Sequence, residues 1–372
     1  MIEIPKTSKA AVIVAWGEPL EIREYPIPEV EPNGILVKVE MCGICGTDVH
    51  QWNGRMPLDQ RLPQIPGHET LGRIVKLGEG RTHDAAGNPL KIGDRILWAH
   101  VECGKCYWCN ISHQPTLCAN RTYYAFRLSD EYPHLMGGFA EYEYVIPKTE
   151  VIKVPDELAD EEVIGVGCAF RTVVAAYERM GGLGVQDTVL VLGAGPVGLY
   201  SLLMAVESGA RKTILVGAPK ERLELAKKWG ANHVINIDDV SDPDERKNQV
   251  SELTDGIGPD VVIDCTGVPV AFNEGLQMIR KGGKYLVIGQ TTPGATSIVP
   301  ASIVWKGIDI YGTISATISH FHKALQFIKK YQSKYPLGEI CTTKFKLEQA
   351  NEALNAMASG KEIKPAIDNR NR

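Results

Sequence analysis

Val189-Leu190-Val191-Leu192-Gly193-Ala194-Gly195-Pro196-Val197-Gly198 is the stretch on which the fold turns. Four apolar residues in a row suit a buried strand, and the glycines behind them mark a tight turn into a second apolar run that suits a helix. In a strand, turn and helix of this kind each glycine has a task. Gly193 permits the turn, Gly195 lets backbone N–H groups approach a pyrophosphate, and Gly198 lets helix and strand pack closely. Pro196 and Val197 complete the candidate pyrophosphate loop. A glycine turn in an unrelated α/β protein looks similar, so the strand before it and the helix after it carry the weight of the dinucleotide reading.

Working outward, apolar strands at Thr188 to Leu192, Thr213 to Val216, Asp260 to Asp264 and Tyr285 to Ile288 alternate with helical stretches. One of these, Lys220 to Trp229, places Leu223, Leu225, Ala226 and Trp229 on its apolar side. Strand and helix in repeated alternation predict a doubly wound parallel sheet with right-handed crossovers. Upstream the pattern differs. From Ala10 to Glu40 short apolar runs are broken by Pro26, Pro28 and Pro32, and further strands are expected at Gly72 to Leu77, Asp94 to Trp98 and Phe139 to Ile146. This predicts a β-rich, barrel-like region interrupted by a cysteine-rich loop. From about Ile314 a helix with Phe321, Leu325 and Ile328 at helical spacing opens a final mixed segment. The fold class is α/β, and 372 residues provide for two or three domains.

A net charge of -5 supplies no basic stripe for a phosphate backbone, so nucleic acid is not an expected partner. No apolar run reaches membrane-spanning length, and Met1 to Trp16 does not read as a signal peptide. A cytoplasmic, non-membrane protein is expected. In a reducing compartment nine cysteines are more readily metal ligands or small buried residues than disulfides.

Cys103, Cys106, Cys109 and Cys118 stand within one short loop, a spacing that wraps a tetrahedral Zn²⁺. A site closed by four thiolates has no vacant position, so its expected role is to fold the loop. A second set is scattered: Cys45 and Asp48, then His68 and Glu69 after Gly67, then Cys168. Two sulfurs and one imidazole with an open fourth place make a catalytic zinc site, in which the metal acts as Lewis acid. Spacing alone leaves a bland reading open, since Cys168 in an apolar stretch also suits the core.

After the strand Thr213 to Val216 an acidic residue would hold the adenosine ribose of NAD, but Gly217 stands there. Its absence removes the repulsion against a 2′-phosphate. Lys220 and Arg222, with Arg211 near in sequence, offer positive charge; equally, they suit a solvated helix start. NADP is favoured slightly over NAD.

Cys45-Gly46-Thr47-Asp48-Val49-His50, Gly67-His68-Glu69, the Cys103 to Cys118 lobe, Gly138-Phe139-Ala140-Glu141-Tyr142, the Cys168 region and the glycine loop occur in the order found in the zinc-dependent alcohol dehydrogenases of the medium-chain dehydrogenase/reductase superfamily, which the chain resembles over nearly its whole length. The resemblance implies a GroES-like catalytic domain over 1–168 and 314–372, with the structural zinc lobe at about 100–120. A Rossmann dinucleotide domain over 169–313 is inserted into it, and the active site lies in the cleft. It implies two zinc ions per chain, one on Cys45, His68 and Cys168 and one on the four-cysteine lobe. Glu69 is implied as a neighbour and alternative ligand, and Asp48 as the residue that orients His68. Thr47 is similar to the hydroxyl that takes the alcohol's proton, and His50 to the group that relays it to solvent, unless it is an inconsequential surface histidine.

Three departures stand out. Eight residues separate Cys109 from Cys118 where the family usually has seven; Gly46 replaces a basic residue common in alcohol dehydrogenases; and Gly217 lacks the acid. Lys364 resembles another position that contacts the cofactor phosphate, and also suits an exposed tail. The expected function is reversible, NAD(P)-dependent oxidation of a primary or secondary alcohol. Zinc polyol or amino-alcohol dehydrogenases usually carry a carboxylate where Cys168 stands; a non-catalytic, zinc-stabilised nucleotide-binding protein would have lost its open-site ligands. The substrate is a small alcohol or carbonyl, with pocket walls expected from Trp52 to Arg61, Trp98 to Glu102 and Asn120 to Tyr132. Trp52, Trp98 and Tyr124 suit a bulky apolar ligand, or packing. A homodimer or homotetramer joined near Trp305 to Gly312 is implied.

Overall fold

The computed structural model describes residues 4–58, 61–289 and 294–370. Asp59 and Gln60 of the expected Trp52 to Arg61 wall lie outside them. Two compact units are present: one runs to Arg171 and resumes at Ala316–Ser333 and Leu337–Arg372, the other holds Thr172–Ser315 with Lys334–Pro336. The chain therefore crosses at 171/172 and 315/316, against 168/169 and 313/314 read from the sequence. The first crossing falls inside the helix Ala169–Arg179, where composition leaves no mark. Lys334 and Tyr335 join the second unit through Glu207, which accepts hydrogen bonds from both side chains.

In the first unit the strands are β1 (Thr7–Val12), β2 (Glu21–Pro26), β3 (Ile35–Gly43), β4 (Glu69–Leu77), β5 (Arg95–Trp98), β6 (Tyr142–Val145) and β7 (Val151–Lys153). The second unit contributes β8 (Thr188–Leu192), β9 (Lys212–Gly217), β10 (His233–Asn236), β11 (Val261–Asp264), β12 (Lys284–Val287) and β13 (Asp309–Gly312). The returning chain adds β14 (Lys344–Phe345) and β15 (Ala366–Asp368) to the first unit. There β3 is the hub, antiparallel to β4, β6 and β15. Its Gly43 lies opposite both Glu69 and Ala366. The β3–β4 register shifts twice, at Val75 of β4 opposite Leu36/Val37 and at Glu40 of β3 between Val39 and Met41, and such bulges coil the sheet, as barrel-like sheets require.

One core of this unit gathers Val37, Ile74, Ile96, Trp98, Tyr124 and Val151. Trp98 meets Tyr124 edge to face at 6.1 Å, and the Tyr124 hydroxyl bonds Thr149 Oγ1 at 2.6 Å. Trp52 donates its indole N–H to Glu18 O at 2.6 Å. The three aromatics read as hints of a ligand are thus engaged in packing and hydrogen bonds within this unit.

The second unit is a parallel six-stranded sheet in the order β10-β9-β8-β11-β12-β13. From β8 the chain goes to one side for β9 and to the other for β11, so the end of β8, where Gly193 begins, is the topological switch point. Among the described residues no helix is long and apolar enough to cross a membrane.

A cost to stability sits on β6, whose four residues are all buried. Glu143 is fully buried, and neither carboxyl oxygen has a well-formed hydrogen bond. Burial raises its pKa to about 8, against a partial pull from Thr70. The folded state therefore holds a proton that the unfolded chain loses near pH 4.5, and stability falls as pH rises through this window. Glu143→Gln is expected to leave stability unchanged at pH 4 and to raise it at pH 8 to 9 by up to about 4 kcal/mol. Urea unfolding midpoints across that range check this; parallel profiles for both proteins would refute it.

Candidate active site

β3 ends at Gly43, and the next residues turn into the helix Gly46–Trp52 with Cys45 as its N-cap in extended conformation. Asp48, fully buried in the first turn, uses both oxygens. Oδ2 accepts the Cys45 N–H at 2.8 Å and fixes the helix start; Oδ1 lies 3.2 Å from His68 Nδ1. A carboxylate on the Nδ1 side leaves Nε2 of His68 to act as a ligand.

His68 is presented by Gly67, which has φ +93 and no room for a side chain: a Cβ there would come within 2.8 Å of Cys42 Sγ and 2.5 Å of the Phe139 ring. Cys168 arrives on a third segment, between the short 3-10 turn Ile164–Gly167 and the helix Ala169–Arg179. Ligand atoms of Cys45, His68, Glu69 and Cys168 all lie within 4.8 Å of one another. Cys45 Sγ stands 3.5 Å from His68 Nε2. The edge of a tetrahedron built on ordinary zinc–sulfur and zinc–nitrogen bonds is about 3.6 Å.

The electrostatics fit a cation as well. Burial opposes charge on His68, yet Asp48 and the two thiols outweigh it and hold the imidazole well above its usual range. The contact between the thiols pulls Cys45 down and pushes Cys168 up, so one proton serves two sulfurs. Such a donor set calls for positive charge at its centre, which a divalent ion supplies.

Beside it the structure departs from the reading of Lys364. That side chain is 0% exposed, and its Nζ donates to Glu69 Oε2. It is not an exposed tail lysine: its ammonium pairs with the carboxylate of the candidate metal cluster. Thr47 and His50, half-buried, stand three residues apart on the helix Gly46–Trp52 and so share a face. Burial lowers the His50 pKa from its ordinary value of 6.5. A ring array not foreseen from the sequence leads away from His68: Phe126 at 6.3 Å, Tyr123 a further 6.3 Å, then His100 at 5.1 Å from Tyr123. Aromatic composition alone could not have singled these rings out from Trp98 and Tyr124.

The second cluster is formed by Cys103, Cys106, Cys109 and Cys118, whose sulfurs also lie within 4.8 Å of one another. Cys106 is 3.5 Å from Cys109 and 3.8 Å from Cys118, close to the S–S edge of about 3.8 Å in a four-thiolate zinc tetrahedron. The 3-10 turn Pro115–Leu117 leads directly into Cys118.

In the second unit Gly193 has φ +101, which the turn requires. Gly195 caps the helix Pro196–Glu207 and has nothing within 4 Å of where a Cβ would be, whereas a Cβ on Gly198 would sit 1.9 Å from Gly193 O. Pro196 is the first helical residue and Val197 the next. A Cβ on Gly217 would lie 2.7 Å from that of Ala194, so any side chain there presses on the glycine loop. Lys220 and Arg222 stand in the first turn of the helix Lys220–Lys228, Lys220 exposed and Arg222 half-buried. Arg211 is misplaced for the role suggested above. It precedes β9 and bonds Thr188 at the start of β8, so the length of a six-residue strand, about 20 Å, separates it from Gly217.

Comparison with known proteins agrees with this anatomy. Residues 31–156 match the model described as alcohol dehydrogenase GroES-like domain, and 196–330 the one described as zinc-binding dehydrogenase. The chain is 35% identical to 5-exo-hydroxycamphor dehydrogenase of Pseudomonas putida, covering 97% of this chain and 98% of that one. It is 31% identical to L-threonine 3-dehydrogenase of Chromobacterium violaceum, over 94% and 96% respectively. The crystal structure of an alcohol dehydrogenase from Thermotoga maritima superposes with a TM-score of 0.90 at 32% identity, covering 97% of this chain and 99% of that one. Two units built as a GroES-like domain and a parallel nucleotide-binding sheet, together with these likenesses along nearly the full length, make the chain a member of the zinc-dependent medium-chain dehydrogenase/reductases.

Proposed function

We propose that the protein oxidises a primary or secondary alcohol, and reduces the matching carbonyl, with NAD(P) as hydride carrier. The observation that carries this is the approach of Cys45, His68 and Cys168 to one point, with their ligand atoms within 4.8 Å of one another and Cys45 Sγ 3.5 Å from His68 Nε2. These three would hold a zinc ion, which would supply a Lewis acid for the alcohol's oxygen. Asp48 keeps the His68 ring oriented. Thr47 accepts the alcohol's proton as it passes its own to His50, which relays it outward; burial lowers the His50 pKa from its ordinary value. The loop Gly193, Gly195, Pro196, Val197 and Gly198 holds the pyrophosphate. Gly217 with Lys220 and Arg222 supports NADP over NAD. The Cys103, Cys106, Cys109 and Cys118 site takes a second, structural zinc.

The wall of Phe126 and Tyr123 near His68 supports an apolar substrate skeleton, in keeping with the name of the hydroxycamphor relative. At the far edge of the second unit's sheet, β13 pairs only with β12 among the described strands. Val299, the N-cap of the helix Pro300–Lys306 that precedes β13, and Val304 and Trp305 within that helix are 68%, 77% and 85% exposed, apolar surface of the kind that marks a protein contact. This supports a homodimer or homotetramer.

A spectrophotometric panel of alcohols and carbonyls with both cofactors, alongside zinc analysis, tests the reading. Two zinc ions per chain and cofactor-linked turnover that stops when the metal is stripped are expected; full turnover in metal-free protein would overturn it. His50→Gln is expected to lower alcohol oxidation roughly tenfold below pH 7, less than the loss of a directly acting general base, and to matter less at pH 9. An unchanged pH–rate profile would remove His50 from the relay. Trp305→Asp is expected to shift the protein to smaller species in size-exclusion chromatography, whereas an unaltered elution volume would place the interface elsewhere.

A further inference from the structure

A metal held by two thiolates and an imidazole needs one more donor to become a closed tetrahedron. Glu69 is placed to be that donor, since its carboxylate lies within the same 4.8 Å as the other three ligand atoms. It has little freedom to turn away. A Cβ at Gly43 would touch Glu69 Oε2 at 2.6 Å, and one at Gly167 would lie 2.8 Å from Glu69 Cα, so backbone encloses the residue on two sides.

Oε2 is taken by the Lys364 ammonium, while Oε1 is buried without a hydrogen-bond partner. Lys364 is itself anchored: its carbonyl accepts from Thr342 N at 3.3 Å, the next carbonyl, that of Pro365, accepts from Ile44 N at 2.9 Å, and Ala366 pairs with Gly43. The ammonium is thus delivered to Glu69 by the anchored segment that leads into β15 and not by a mobile tail. The ammonium tethers the carboxylate through Oε2, so Oε1 can reach the metal only as far as that tether allows, and a swing that pulls Oε2 from the fully buried lysine leaves that charge unpaired, which burial makes costly.

We propose that Lys364 is a positioning residue that holds Glu69 off the metal and so keeps one coordination position open for substrate oxygen. The inference rests on the metal reading given under Proposed function. Without Lys364, Glu69 closes the site.

The test uses the full-length protein with cobalt(II) in place of zinc and imidazole as the incoming probe, followed by visible and near-ultraviolet absorption. Only a metal with an exchangeable position responds, so the four-cysteine site stays silent. Lys364→Met is expected to raise the imidazole Kd by about tenfold or more. Lys364→Arg keeps the native Kd, and Glu69→Gln combined with Lys364→Met restores it. An unchanged or lower Kd in Lys364→Met would overturn the proposal. Should that variant not fold, Lys364→Gln, which retains a weaker neutral donor, is expected to move the Kd in the same direction by less, and no movement would again overturn it. A cobalt protein whose native form shows no response to imidazole would overturn the metal reading as well, which separates the two failures.

Discussion

The approach of three backbones at Gly43 is the constraint on which the candidate metal cluster depends. β4 and β15 flank that residue, and Gly167 rests against Glu69 from a third side. With a methyl group at either glycine the strands would stand further apart, and Cys45, His68 and Cys168 could not converge at the observed spacing. Local chemistry here follows from strand pairing, because each ligand sits within two residues of a paired or closely packed glycine.

The two cysteine-containing clusters show how context separates structure from chemistry. In the lobe all four donors come from one stretch of chain, and closing it needs only local turns. At the other cluster the donors come from distant segments already fixed by the barrel, and its one carboxylate, Glu69, is engaged by Lys364. A donor set assembled by tertiary structure allows the protein to decide how many ligands the metal receives; a local loop does not.

Much of the architecture was legible in the sequence for the reason that it is local. β8 runs over the predicted Thr188 to Leu192, and β9, β11 and β12 lie within a residue of the expected limits, since an unbroken apolar run ending in glycine has few other readings. The scattered ligand set was visible only through family likeness, as nothing local links Cys45 to Cys168. Lys364 and Glu69 are 295 residues apart, beyond the reach of any spacing argument. Arg211 misled because nearness along a strand was taken for nearness in space. Glu143 also escaped notice: alternation would assign a polar residue on β6 to solvent, but both faces of that strand are covered.

The placement of Lys364 just ahead of β15 has a consequence for biosynthesis. Cys45, His68, Glu69 and Cys168 all leave the ribosome well before it, and Lys364 follows Glu69 by 295 residues. At ordinary translation speeds that interval is roughly 15 to 60 s. Throughout it the nascent chain carries a carboxylate with no ammonium to occupy it, so an ion captured early meets a different ligand set from one that arrives after the last strand has docked.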